Sequence, residues 1–192
     1  IEKPEFCPCC HEKLITIGPN IFCTNPACRD KVINQITYFA SRNCMNIEGV
    51  RDKTSAQLYD DCGVRKISDI YLLTREKLEK LEGFKDKKIE NLLSSIEKSK
   101  NCELANFLDA ISIDGVGEKT SKDLAKKFET LDNVMRATYE ELVAIDDIGP
   151  IIAKNIVSYF ADQNNLDEIK NLLQRGIKIK VPEKKVIDTS NF

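Results

Sequence analysis

The chain has 192 residues, 29 of them Lys or Arg against 31 Asp or Glu, for a formal charge of −2. That length supports one or two domains with a substantial core. No run approaches a membrane span, no charged-then-apolar leader points to secretion, and the lone histidine, His11, excludes Ser-His-Asp or Cys-His chemistry elsewhere. The first residue is Ile1 rather than Met, and the expectation is an excerpt of something longer.

Residues 1–30 read as a four-cysteine metal module. Five of the eight cysteines fall within the first 28 residues. An extracellular disulfide framework would spread them more evenly, so the clustering reads as metal binding in a reducing compartment. Cys7 and Cys10 make a C-x2-C pair, and Cys23 and Cys28 a C-x4-C pair. Between them, residues 14–17, 18–20 and 21–22 read as strand, turn and strand. Such a hairpin brings the pairs together for tetrahedral Zn2+. No open position lies beside a general base, so the zinc reads as structural, and it would hold a module too small for its own core. Cys9 is left out because it sits too close to Cys7, and His11 is the alternative ligand in place of Cys10.

Residues 31–46 carry a helical pattern. Cys44, Cys62 and Cys102 read as buried thiols. Four related segments then follow, starting at Ile47, Leu81, Ile113 and Ile145, with spacings of 34, 32 and 32. Position two is acidic in each, position four apolar (Val50, Phe84, Val116, Ile148), and position twelve Leu or Ile. Residues 67–96 also match 131–160 at an offset of 64, which reads as a duplicated pair of hairpins. Thr54 with Gln57 and Thr138 with Glu141 have capping-box spacing. Thr74 caps a short helix, and a helix over 87–98 buries Ile89, Leu92, Leu93 and Ile96. Pro150 suits a first helical turn. Residues 165–175 read as a helix ended by Gly176, 177–181 as a strand, and 182–192 as a tail or linker.

Residues 113–120 carry the chemistry. Two glycines, Gly115 and Gly117, let the backbone turn sharply. A helix starting directly behind them directs free N–H groups and a positive dipole end outward, which makes a phosphate site from backbone. The expected DNA contacts are Arg51 and Lys53 in hairpin one, and Gly83, Lys85, Lys87 and Lys88 in hairpin two. Hairpin three supplies Gly115, Val116, Gly117, Lys119, Thr120 and Lys122, and hairpin four Ile148, Gly149 and Lys154. Lys87, Lys88, Lys98 and Lys100 are expected to be exposed. Four zinc-bound thiolates would take the total charge to about −4, so binding must come from local charge and N–H groups, with acidic residues facing away.

The four segments resemble helix-hairpin-helix motifs, which grip DNA backbone without sequence preference. The ordered set is similar to the C-terminal zinc-finger and hairpin portion of bacterial-type NAD-dependent DNA ligases. The matching residues are Cys7-Pro8-x-Cys10, Cys23-x-Asn25-Pro26-x-Cys28, Phe39-Ala40-Ser41-Arg42, Met45-Asn46-Ile47-Glu48-Gly49, Asp69-Ile70-Tyr71-x-Leu73 and Gly115-Val116-Gly117-Glu118. The resemblance covers residues 5–180. It implies a mainly α fold with a four-cysteine zinc finger (1–30), a four-hairpin domain (31–181, hairpins near 47–51, 81–85, 113–117 and 145–149) and a tail (182–192). It also implies minor-groove binding of double-stranded DNA around a nick, in replication and repair, in the nucleoid of the cytoplasm. NAD and Mg2+ would act only through an adenylation domain absent from this chain, as are an oligonucleotide-binding barrel and a BRCT domain. The nucleotidyl-transfer Lys-x-Asp-Gly motif is missing, so the chain by itself is expected to be non-catalytic. Arg51, Lys85 and Asp147 stand where the family generally has Gly, and Tyr38 where it usually has His. DNA contact is therefore expected above all at hairpin three.

Two other readings compete. A repair glycosylase needs an Asp soon after a Gly-Pro pair, and here Ile151 follows Gly149-Pro150. A scaffold or protein-interaction module with degenerate hairpins suits the acidic total and the three missing glycines.

Overall fold

The computed structural model describes residues 3–25 and 27–180. The chain opens with the antiparallel pair β1 (Leu14–Ile17) and β2 (Asn20–Cys23), in register Leu14 to Cys23, turned by Gly18 at φ +59°. The strand-turn-strand expectation holds. Helices follow: α1 (Arg29–Phe39), α2 (Asp52–Cys62), a 3-10 turn (Ile67–Leu72), α3 (Arg75–Glu79) and α4 (Asp86–Ser99). After strand β3 (Asn101–Glu103) come α5 (Leu104–Ala110), α6 (Glu118–Phe128), α7 (Leu131–Met135), α8 (Tyr139–Val143), α9 (Pro150–Ala161) and α10 (Gln163–Gln174). Strand β4 (Lys178–Lys180) ends the described chain, and the expected tail lies outside it. No described helix is long and apolar enough to cross a membrane.

The hairpins join α1 to α2, α3 to α4, α5 to α6 and α8 to α9, and each helix pair packs together. The repeat therefore marks one structural unit used four times. Its anchor is position four. Val50, Phe84, Val116 and Ile148 are at most 8% exposed, and they join the position-twelve residues Leu58, Leu92, Leu124 and Ile156 in a continuous core. That core runs from Val32 to Ile177, so the two halves share one interior.

The duplication is visible as well. Thr74 and Thr138, 64 residues apart, both cap short helices through their hydroxyls, and Thr138 forms the expected capping box with Glu141. The 3-10 turn of the first half occupies the sequence place of α7 in the second. Thr54 and Gln57 do not form the expected box. Arg51 is the N-cap of α2, Thr54 is a buried residue within it, and Gln57 Nε2 donates across to Glu82 O at 3.1 Å. The equivalent amide of hairpin four, Asn155 Nδ2, donates to Asp114 O at 3.1 Å. A position-eleven amide thus clips a position-two carbonyl within each pair, joining one to two and three to four.

Two contacts pin the chain end between the halves. Glu168 of α10 accepts the Ser68 N–H at 2.8 Å, and β4 pairs in parallel with β3. Nothing in the sequence of β3 announces a strand. Tyr38 donates to the buried carboxylate of Asp109, tying α1 to α5. Desolvation and that carboxylate push its phenol well above the usual range. Burial pushes the Cys44 and Cys102 thiols up to about 11, so both stay protonated at neutral pH. Cys62 departs from expectation: it is only partly buried and donates to Lys77 O at 3.5 Å.

Two glycines with similar dihedrals separate strain from packing. Gly49 (φ +89°) and Gly115 (φ +82°) both lie in the left-handed region, which costs an alanine about 1–2 kcal/mol. A Cβ on Gly49 meets nothing within 4 Å, whereas one on Gly115 meets Ile152 Cγ1 at 3.1 Å. Gly115→Ala is therefore expected to destabilise more than Gly49→Ala, as the difference in urea midpoint between the two variants will show.

Candidate metal centre and nucleic-acid interface

The four predicted ligands converge. The sulfurs of Cys7, Cys10, Cys23 and Cys28 lie within 4.8 Å of one another, with Cys7 to Cys28 at 3.9 Å and Cys10 to Cys23 at 3.5 Å. A tetrahedral ion with Zn–S bonds of about 2.3 Å sets its sulfurs roughly 3.8 Å apart, so the cage has the size such an ion requires. Backbone builds it. The Cys7 N–H donates to Glu12 O and Cys7 O accepts from His11, which sits at φ +63°. Asn25 Oδ1 accepts from Ala27, and Cys28 N donates to Asn25 O. Cys28 is also the N-cap of α1, so the module runs directly into the first helix. Cys9 and His11 lie outside the cluster.

The strands contribute little core of their own. Phe6, Ile15, Ile17 and Phe22 are 42–61% exposed, while Cys7 and Cys28 are buried. A metal ion is therefore the main interaction available to hold these loops closed.

The hairpins present a second arrangement. At position three, Gly49, Gly83, Gly115 and Asp147 all have φ between +68° and +89°. Asp147 adopts the left-handed turn, as expected of a short polar side chain. Position five is different. Arg51, Lys85, Gly117 and Gly149 have φ from −118° to −84°, which any residue adopts. This explains why Arg and Lys replace the second glycine without breaking the turn. A Cβ added to Gly117 or Gly149 meets nothing within 4 Å, so the chain's own packing does not require either glycine.

Each position-five residue is the N-cap of the following helix, and none of these four starts has a side-chain cap. By contrast, α3, α7, α8 and α10 are capped by Thr74, Thr130, Thr138 and Asp162. The first helical bonds, Ser55 to Arg51, Ile89 to Lys85, Ser121 to Gly117 and Ala153 to Gly149, leave the preceding N–H groups unpaired among the described residues. Hairpin four has one fewer, since Pro150 carries none. Bare N–H groups at a helix start favour an anion.

The side chains around these starts need revision in part. Arg51, Lys53, Lys85, Lys87 and Lys88 of hairpins one and two, and Lys154 of α9, are exposed and make no ion pair among the described residues. Lys88 lies over the Phe84 ring at 4.2 Å. Gly83 is exposed at its turn, and Thr120 is half-buried near the start of α6. Val116 and Ile148 are not surface contacts. Their side chains are buried, and their N–H groups donate within the turn to Ile113 O at 2.9 Å and Ile145 O at 3.2 Å. Two lysines of hairpin three are already paired, Lys119 with Asp147 and Lys122 with Glu118 at 2.9 Å. Hairpin three thus has the barest backbone, while hairpins one and two, and Lys154 in hairpin four, carry charge without an ion pair among the described residues. Lys100 pairs with Glu97 and is only partly exposed.

Residues 42–98 match the family model described as a SAM-like helix-hairpin-helix tandem, and residues 106–169 the one described as a helix-hairpin-helix motif. The chain is a tandem helix-hairpin-helix protein. It is 45% identical to a DNA ligase of Finegoldia magna along its whole length, which is 30% of that relative. It is 40% identical to a DNA ligase of Clostridium botulinum over 97% of the chain and 28% of the relative. A stretch of 118 residues is 44% identical to DNA ligase 2 of Clostridium acetobutylicum, covering 61% of the chain and 18% of that relative. The chain belongs to the helix-hairpin-helix portion of the DNA ligases, and it spans about 30% of the length of its Finegoldia relative.

The metal assignment has a direct check. Cys10→Ser is expected to lose bound metal, whereas Cys9→Ser and His11→Ala retain one ion per chain in a metal-release assay.

Proposed function

We propose that this chain is the DNA-gripping part of an NAD-dependent DNA ligase, holding duplex DNA through its minor groove on both sides of a nick. The observation that carries this reading is the set of four uncapped helix starts, each preceded by a tight turn. N–H groups without internal partners are stabilised by phosphate oxygens, and the neighbouring Arg51, Lys53, Lys85, Lys87, Lys88 and Lys154 add unpaired positive charge. Gly115, Gly117 and Gly149 keep the backbone open to close approach, and Thr120 stands at the same helix start as Lys119. Such contacts recognise backbone and not base edges, so sequence preference is slight.

In this reading residues 1–30 are a zinc finger and 31–181 the hairpin domain, with 182–192 as linker. The ion is Zn2+, because four thiolates in tetrahedral reach suit it. The zinc is structural, and this chain supplies grip while the adenylation, oligonucleotide-binding and BRCT parts of the ligase supply the rest. NAD and Mg2+ belong to those parts. Work on DNA and the free thiols both suit the cytoplasm, at the nucleoid.

The scaffold reading keeps one observation in its favour. The net charge is −2, and the lysines beside the barest hairpin are paired. A single substitution separates the two. Gly117→Asp fits the backbone, with φ −104° and nothing within 4 Å of the new Cβ, and it places a carboxylate at the N-cap of α6. As a cap it stabilises the helix; as an anion it repels a phosphate from the same N–H groups. Fluorescence anisotropy with a nicked duplex is expected to show binding that weakens steeply with salt. Gly117→Asp is expected to lower affinity about tenfold, ~1.4 kcal/mol, with thermal stability unchanged or raised. Binding indifferent to salt, or no binding by the folded wild type at low salt, would support the scaffold.

A further inference from the structure

The four repeats can be aligned through the structure. Position seven of each is the second residue of the helix behind the hairpin: Lys53, Lys87, Lys119 and Ile151. Position three is Gly49, Gly83, Gly115 and Asp147. Hairpin four departs at both. Its position seven is Ile151, 76% exposed, and its position three is an acid.

These departures bear on the neighbouring hairpin. Lys119 of hairpin three donates to Asp147 of hairpin four, although the two side chains are 73% and 68% exposed. The Lys119 ammonium is held above the usual lysine range by this partner, and the Asp147 carboxyl below the usual carboxylate range. Both are charged throughout the neutral range, so the pair does not titrate away there. The other pair has no counterpart. The clip from a position-eleven amide to a position-two carbonyl joins hairpins one and two as it joins three and four. In that arrangement the amide comes from hairpins one and four and the carbonyl from hairpins two and three, so Lys87 corresponds to Lys119 and Gly49 to Asp147, and glycine offers no carboxylate. Lys53 and Lys87 make no ion pair among the described residues.

We propose that Asp147 occupies Lys119 in the place of a DNA phosphate, so that hairpins three and four grip the duplex more weakly than hairpins one and two. The inference rests on the DNA-binding reading above. Lys119 sits on the first turn of α6, beside the bare N–H groups of Gly117, Glu118 and Lys119. A phosphate bound there lies within the reach of a lysine side chain. It must compete with a carboxylate that the protein itself provides. An exposed ion pair is weakly held, so the competition lowers affinity without abolishing it. Releasing Lys119 adds one phosphate contact, and with it about 0.9 to the slope of log affinity against log salt. Asp147 is thus an affinity-setting residue of the interface, and the two halves divide the work: one and two hold by charge, three by backbone.

The test is a double-mutant cycle on the 192-residue chain, read as nicked-duplex affinity across a salt series. Asp147→Gly suits the left-handed turn, and Asp147→Asn keeps a residue that tolerates it while removing the charge. Each is expected to tighten binding about three- to tenfold at low salt and to steepen the slope by about one. Lys119→Met is expected to cost little while Asp147 is present, and several-fold in the Asp147→Gly background. Unchanged affinity in both Asp147 variants, or an equal gain with and without Lys119, would overturn the proposal while leaving DNA binding intact. Failure of the folded wild type to bind at low salt would instead remove the DNA-binding reading, and this inference with it. Metal content and the far-ultraviolet circular dichroism of each variant confirm that the comparison is between folded chains.

Discussion

The structure depends on one buried side chain in each turn. Position four of every hairpin drives an apolar group into the shared core. In hairpins two, three and four the same residue also closes the turn, its N–H donating to the residue three before it. With that residue inside and its donor used, the backbone on either side is held at the surface. The left-handed residue before it and the extended residue after it then launch the next helix with N–H groups free of internal partners. Burying a Val, Phe or Ile supplies the stability and leaves helix starts whose free amides suit an anion.

The amino-terminal module uses a different source of stability. Its strands are four residues each, and their largest apolar side chains face outward. In place of a hydrophobic interior, two loops bring four cysteine sulfurs within 4.8 Å of one another, close enough for one metal ion. Cys28 shows how the two regimes join, since it belongs to the four-cysteine cluster and is the N-cap of α1, the first helix to contribute to the core. Arg29, the next residue, pairs with Asp60 of α2 at 2.6 Å, which adds a polar tie between the module and hairpin one.

For the proposed DNA grip, the distribution of charge matters more than the acidic total. The acids are not all turned away: Glu118 and Asp147 lie at hairpins three and four and hold Lys122 and Lys119. Arg75 pairs with Glu79 of its own helix and with Asp86 and Glu90 of α4, Asp86 being the residue directly after Lys85. Arg51 and Lys53 at the start of α2, Lys85, Lys87 and Lys88 at the start of α4, and Lys154 of α9 are among the cations with no carboxylate partner among the described residues. Net charge describes the molecule at long range, where salt screens it. The contact surface is set by which lysines have a carboxylate within reach.

Much of this was legible in one dimension. The cysteine spacing picked out the four cysteines whose sulfurs the fold brings together, because two short loops admit few arrangements. The periodic apolar residues, Gly at position three and the Thr caps located the hairpins and most helices, since each is a local property of a few neighbouring residues. Other features were not legible, for a common reason: they depend on residues brought together from afar. The β3–β4 pairing, the Gln57 and Asn155 clips and the Tyr38–Asp109 bond join segments 25 to 77 residues apart. Thr54 has the spacing of a cap, yet the core claims it as a helical residue. Val116 and Ile148 lie in the right motif, but their burial removes them from the surface. The sequence by itself determined the repeat, the four-cysteine cluster and the turns, all set by local stereochemistry. Only the tertiary structure decided which charges remain available, because whether a lysine meets a phosphate or a carboxylate depends on what the fold places beside it.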